Sequence, residues 1–224
     1  MALERNVAAN ADANSYSIMI VGCGPGGLDY LTPAARTSIA GAEVLVGASR
    51  LLKLFAANGA ERIVVGTDIP KALDQLASHI GKRKVVVMVS GDPGLCSLAQ
   101  PVIQRFGWQS CQVIPGISSV QVAFARLGLD WTGARLLSAH HHAPQVDLDA
   151  LAEENKIAVL AGNASALAWI AGLAKRLAAT HSIFACEDLT LPQERVFRLG
   201  PDDLAGGKLS AQSIVLFIGK KIRT

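Results

Sequence analysis

The stretch Lys84–Ser90, KVVVMVS, is an unbroken run of β-branched and apolar residues. A strand with one wet face alternates polar and apolar residues, so this one must be covered on both faces. It therefore belongs in the middle of a sheet with helices above and below. Further apolar runs at Ser17–Val21, Glu43–Val46, Arg62–Gly66, Cys111–Gly116, Ala134–His140, Ile157–Gly162, His181–Asp188 and Gln212–Lys220 read as strands. Between them, Lys71–Ile80, Leu98–Phe106, Ser118–Leu129, Asp147–Lys156 and Ser165–Ala179 read as helices. Strands alternating with helices define an α/β chain with mostly parallel sheets. Nine or ten strands are many for one sheet in 224 residues. The chain therefore reads as two small α/β domains, over residues 17–116 and 117–224, behind a tail at 1–16.

Composition narrows the function classes. Half the residues are apolar, and the net charge is only +3 with the basic residues scattered. A nucleic-acid stripe or a polybasic membrane patch is excluded on that ground. Cys23, Cys96, Cys111 and Cys186 show no C-x-x-C spacing, so they read as free thiols and not as a zinc set or a disulfide framework. The N-terminus lacks a signal-peptide pattern, and no apolar stretch reaches the roughly 20 residues of a membrane helix. The expectation is a cytoplasmic protein.

Within IMIVGCGPGGLDYLTPAA, Gly22, Gly24 and Gly27 have the spacing G-x-G-x-x-G. A dinucleotide site needs that loop to open a helix, and it needs an acidic residue about 20 positions on, at the end of the next strand. Pro25 and Pro33 interrupt the helix, the next strand ends in Gly47 and Ser49, and Glu43 lies at its start. The dinucleotide reading fails that test. A tight glycine turn, or a ligand loop of another kind, remains. Two more Gly/Pro loops follow strands: VSGDPGLCSLA (Val89–Ala99) and VIPGISSVQVA (Val113–Ala123). Ligands of open α/β sheets bind outside the carboxyl ends of the strands. Asp92 either closes its own turn or orients a ligand; Ser118 and Ser119 either cap a helix or touch one. Three adjacent histidines, His140 to His142, cannot all face one metal, and no metal site is expected.

The segments VGCGPGGLDYLTPAA, SGDPGLCSLA, PGISSVQVAFARLGLDW and CEDLTLPQERV, in that order, resemble the tetrapyrrole methylases over roughly Ser17 to Lys220. Within that family, GPGGLDYLTPAA, GASRLL (Gly47–Leu52) and ACEDLTLPQE resemble the branch that methylates carbon 5 of a precorrin in cobalamin biosynthesis. The resemblance implies two α/β domains with S-adenosylmethionine in the cleft between them, a homodimer, and a precorrin substrate. It places Pro25, Gly91, Asp92, Leu95, Ser118, Ser119 and Ala161 beside the cofactor. The sequence departs from the family pattern at Cys96, where relatives commonly carry an aromatic residue, and at Thr190, where they carry Gly. Arg36, Arg50, Arg135 and His140 are the candidates for the substrate's carboxylates, since guanidinium groups bind carboxylates bidentately. Glu187 and Asp188 read as a base or as caps. The alternatives are another tetrapyrrole methylase, such as a uroporphyrinogen methyltransferase, and an NAD(P)-dependent oxidoreductase.

Overall fold

A computed structural model of the chain describes residues 18–55, 59–140, 142–162, 164–200, 202–206, 209–210 and 212–222. The expected tail at 1–16, and His141, lie outside the described residues. The chain divides into two compact units. One runs to Gly22 and from Thr32 to Pro115, and the other comprises Cys23–Leu31 and the chain from Gly116 onward. The first glycine loop thus counts with the C-terminal unit, whereas the sequence reading assigned it to the N-terminal one.

The first unit holds β1 (Ile18–Gly22), α1 (Pro33–Ala40), β2 (Val44–Gly47), α2 (Ser49–Leu54), β3 (Glu61–Val64), α3 (Ile69–Ala77), β4 (Val85–Val89), α4 (Ala99–Phe106) and β5 (Cys111–Ile114). Its sheet has the order β3-β2-β4-β1-β5, and every pairing is parallel. β4 is central and no residue of it is more than 3% exposed, as its unbroken apolar run requires. Side chains alternate across a strand. Val85, Val87 and Val89 therefore join Ile18, Ile20, Val44 and Val46 in one core beneath Ala72, Leu73 and Leu76 of α3 and Ala99 and Val102 of α4. Right-handed crossovers put the connections running the other way, α1 and α2, on the opposite face. Local chemistry sets the helix starts. The Thr32 hydroxyl accepts from Ala35 N–H at 3.2 Å with Pro33 in the first helical turn. Asp68 does the same for α3, with Pro70 in its first turn.

The second unit holds α5 (Ser119–Arg126), β6 (Arg135–Ser138), α6 (Leu148–Glu153), β7 (Lys156–Leu160), α7 (Ala164–Leu177), β8 (His181–Glu187), β9 (Arg195–Leu199) and β10 (Ile214–Gly219). Its sheet order is β6-β7-β10-β8-β9. One core lies between this sheet and the helices α6 and α7, centred on Ile157, Val159, Ile170, Leu173, Val215 and Phe217. α5 packs against β10.

Among the described residues the pairing is mostly parallel: four parallel pairings in the first sheet and β6–β7 in the second, against three antiparallel ones. Those three are all in the second sheet, where β10 runs antiparallel to both β7 and β8, and β8 to β9. The connection from β8 to β9, residues 188–194, is too short for the crossover that parallel neighbours need. An apolar run such as SIVLFIG marks a strand covered on both faces but carries no sign of its direction. The helices α1 and α2 and the strand β9 were not anticipated from the sequence.

Candidate active site

In the first unit the site candidates gather at the carboxyl ends of β2 and β4. These strands are neighbours, yet β2 continues outward to β3 and β4 continues the other way to β5. Their loops diverge, which makes this the topological switch point where open α/β sheets bind ligands. Arg50, in the first turn of α2, donates to Ser90 Oγ at 2.7 Å across that point. Beyond Ser90, Gly91 is buried with φ +66°. Asp92 is half-buried; its Oδ1 accepts from Gly94 N–H at 2.8 Å, and its carbonyl accepts from Leu95 N–H at 3.1 Å. This is an Asx turn. Ser97 then donates to Pro93 O at 2.6 Å and accepts from Ala99 N–H at 3.1 Å, which ties the loop to the start of α4. Cys96 is exposed, with φ +46°. Arg36 is exposed in the first turn of α1.

In the second unit Ala161 and His140 lie at one edge of the sheet. Parallel β6 and β7 end there, antiparallel β10 begins there at Ile214 opposite Leu160, and β8 ends there. Ala161 is buried; its N–H donates to Ser213 O at 2.9 Å, and its carbonyl lies 3.4 Å from His140 Nδ1. Glu187, only 1% exposed, accepts from Ser210 N–H at 2.9 Å and pairs with Arg195. It therefore braces the segment that carries Ser213, and it lies at the end of β8, not at a helix start. Ser118 caps α5 in a capping box with Gln121, with bonds of 3.1 and 2.8 Å, and is 7% exposed; Ser119 is the first helical residue. Arg135 opens β6 opposite Ile157, at the far end of the strand from His140, so the structure does not bring it to this edge.

The first glycine loop belongs to the same edge. It leads into a 3-10 turn at Leu28–Tyr30, and α1 starts only at Pro33, with Thr32 as its cap. No helix N-terminus opens at the glycines, so the pyrophosphate seat of a dinucleotide fold is missing. The glycines serve close packing instead. A Cβ on Gly27 would lie 2.6 Å from Thr190 O, in the turn after β8. Gly27 N–H donates to Thr190 Oγ1 at 2.8 Å, and Pro25 sits half-buried two residues earlier.

Behind this loop lies a charged set the sequence reading missed. Arg126, at the end of α5, donates to Glu194 through Nε at 2.5 Å and Nη2 at 3.1 Å, and to Tyr30 Oη at 3.0 Å. The guanidinium holds the Glu194 carboxyl below its usual range, and Glu194 in turn raises Arg126. Burial pushes the nearby Cys186 thiol up to about 12. The partners are 68 and 96 residues apart in sequence, so no local motif announces them. Among the described residues no group of three or more His, Cys, Asp or Glu is placed to hold a metal, and no helix is long and apolar enough to cross a membrane.

Comparison with known proteins agrees with this architecture. The family model of the Tetrapyrrole (Corrin/Porphyrin) Methylases matches residues 17–204, and the chain belongs to that family. It is 36% identical over 143 residues to the cobalt-precorrin-7 C(5)-methyltransferase of Salmonella typhimurium, covering 64% of this chain and 70% of the relative. It is 25% identical over 207 residues to the probable cobalt-precorrin-7 C(5)-methyltransferase of Methanocaldococcus jannaschii, covering 90% and 98%. Among solved structures it resembles uroporphyrin-III C-methyl transferase from Thermus thermophilus complexed with S-adenyl homocysteine. That likeness has a TM-score of 0.73 and 22% identity over 90% of this chain and 97% of the other.

Proposed function

We propose that this methylase transfers a methyl group from S-adenosylmethionine to carbon 5 of a precorrin-7-type ring in cobalamin biosynthesis. One observation carries the choice of cofactor: in a chain of this family, the loop that mimics a dinucleotide fingerprint opens no helix. That removes the nicotinamide alternative. The names of the Salmonella and Methanocaldococcus relatives support carbon 5 over the uroporphyrinogen reaction.

The donor set fits the cofactor. The residues assigned to the cofactor offer hydroxyls, backbone groups and one carboxylate, which suits a cationic nucleoside better than a diphosphate. Pro25, Gly91, Asp92, Leu95, Ser118, Ser119 and Ala161 would hold it. When bound, S-adenosylmethionine supplies an electrophilic methyl group on a sulfonium. A carboxylate set directly against that charge would stabilise the ground state more than the transition state, in which the charge is being lost. Asp92 fits an orienting role, since its side chain is engaged in closing its own turn. The loops then act by holding the two reactants in line, which on its own accounts for large rate factors. Arg50 beside Ser90, with Arg36 and His140, would receive the ring's carboxylates. The working unit is a homodimer in a reducing cytoplasm, where the thiols of Cys96 and Cys186 would stay reduced.

Calorimetric titration with S-adenosylhomocysteine and with NAD(P), followed by methyl incorporation into individual precorrins, tests this reading. Binding of S-adenosylhomocysteine and methylation of carbon 5 are expected. Binding of NAD(P) alone, or methylation of uroporphyrinogen in place of the precorrin, overturns it. Light scattering at micromolar concentration checks the dimer.

A further inference from the structure

Thr190 lies in the turn between β8 and β9 with φ +69°. A β-branched residue in the left-handed region is a steric outlier and persists only where its surroundings over-determine it. Two bonds do so. Thr190 N–H donates to Glu194 Oε2 at 2.6 Å, and Thr190 Oγ1 accepts from Gly27 N–H at 2.8 Å. Glu194 is itself gripped by Arg126, which also reaches Tyr30 Oη. The loop is thus tied to one assembly at both Gly27 and Tyr30. Packing is tight as well: a Cβ on Gly26 would lie 3.0 Å from Leu191 Cδ2. Glycine at position 190 would relieve the backbone but would offer no side-chain acceptor to the Gly27 amide.

We propose that Thr190 is a positioning residue for the first glycine loop, its hydroxyl fixing Gly27 and so setting Pro25 where the cofactor's nucleoside is received. The second half of this inference rests on the reading of Pro25 as a cofactor neighbour. Backbone strain is accepted at residue 190 in exchange for a rigid loop at the adjoining site.

Two variants of the whole chain test it. Thr190→Gly removes the strain and the hydroxyl together; Thr190→Ser keeps the hydroxyl. Hydrogen exchange at the Gly27 amide is measured in the ligand-free protein, with the thermal midpoint and the calorimetric Kd for S-adenosylhomocysteine alongside. In Thr190→Gly the amide is expected to exchange about five-fold faster and the Kd to rise about five-fold, the size of one lost hydrogen bond. Its midpoint stays at or above that of the wild type. Thr190→Ser is expected to restore both exchange and Kd to within about two-fold of wild type, since it keeps the acceptor. An unchanged Gly27 exchange rate in Thr190→Gly overturns the anchor. Faster exchange with an unchanged Kd overturns the positioning role. If the wild type itself fails to bind S-adenosylhomocysteine, the cofactor reading falls, while the exchange rates still decide the anchor.

Discussion

Asp92 offers a way to separate a turn-closing role from direct contact with the ligand. Its Oδ1 accepts from Gly94 N–H at 2.8 Å in a half-buried loop. A hydrogen bond to a charged group is worth about 1.5–3 kcal/mol, and partial exposure places this one at about 1.5 kcal/mol. Asp92→Ala therefore lowers the closed-to-open ratio of the turn by about twelve-fold, at about 1.4 kcal/mol per factor of ten. When only a fraction of the protein is binding-competent, apparent affinity falls by that fraction. The Kd for S-adenosylhomocysteine should rise by up to about twelve-fold in Asp92→Ala. Asp92→Asn keeps a neutral acceptor of roughly half the strength, and the Kd should rise only about three-fold. Neither variant should lower the thermal midpoint by more than about 6 °C, because about 1.5 kcal/mol is the most that either loses. Calorimetry and differential scanning fluorimetry read both quantities. An unchanged Kd in Asp92→Ala would remove this loop from the site. An Asn variant as damaged as the Ala variant would refute the turn argument and leave the charge in contact with the ligand.

Gly162→Ala should destabilise the chain by about 3 kcal/mol in urea unfolding, the upper end for overpacking, because its Cβ would lie 2.5 Å from His140 Cα. A loss under about 0.5 kcal/mol, within the range of a neutral surface change, contradicts that close approach. Iodoacetamide at pH near 8 should label exposed Cys96 rapidly and leave Cys111 and Cys186 unmodified, because burial raises both of those thiols. Mass spectrometry reads the sites, and bound S-adenosylhomocysteine should slow labelling at Cys96. Arg126 depresses the Glu194 carboxyl below its ordinary 4.5, so the pair stabilises the fold fully above that pH and loses its contribution as pH falls through the lowered value. Arg126→Leu should therefore flatten the loss of stability in acid below pH about 4.5, and an unchanged acid slope would show that the pair contributes nothing.

What the sequence made legible follows from how far each signal travels along the chain. β4 was readable because its five residues are all buried, and burial on two faces leaves an unbroken apolar run. α5 was readable because Ser118 and Gln121 form its cap within three residues. β9 was not. RVFRL is an edge strand with exposed arginines, and it becomes a strand only by pairing with β8. The direction of β10 was not readable either, since its burial is the same in parallel and antiparallel surroundings. In the site, the Gly/Pro loops stood out because bends are written in local residues. The Thr190–Gly27 bond did not, because its partners are 163 residues apart. Arg135 opens β6 and His140 follows its other end, so one strand carries two of the candidates to opposite edges of the sheet.

Where the backbone is strained bears on where the chemistry lies. Among the described residues, the non-glycine residues with left-handed φ are Cys96, Asp188 and Thr190. All three lie in the turns at the carboxyl ends of β4 and β8, and none lies in the loops at the opposite edges. Each is held by neighbours. Ser97 bonds forward to Ala99 N–H and back to Pro93 O around Cys96, the Asp188 carbonyl accepts from Leu191 N–H, and Thr190 is fixed by Glu194 and Gly27. Turns placed only to connect strands would relax to glycine or lengthen, since loops tolerate both. Strain persists where altering the turn would lose something else. Both strained turns adjoin candidate cofactor residues, Leu95 in one unit and the Pro25 loop in the other. The strained turn after β4 is one of the three Gly/Pro loops that the sequence singles out, and the strained turn after β8 packs on another, the first glycine loop.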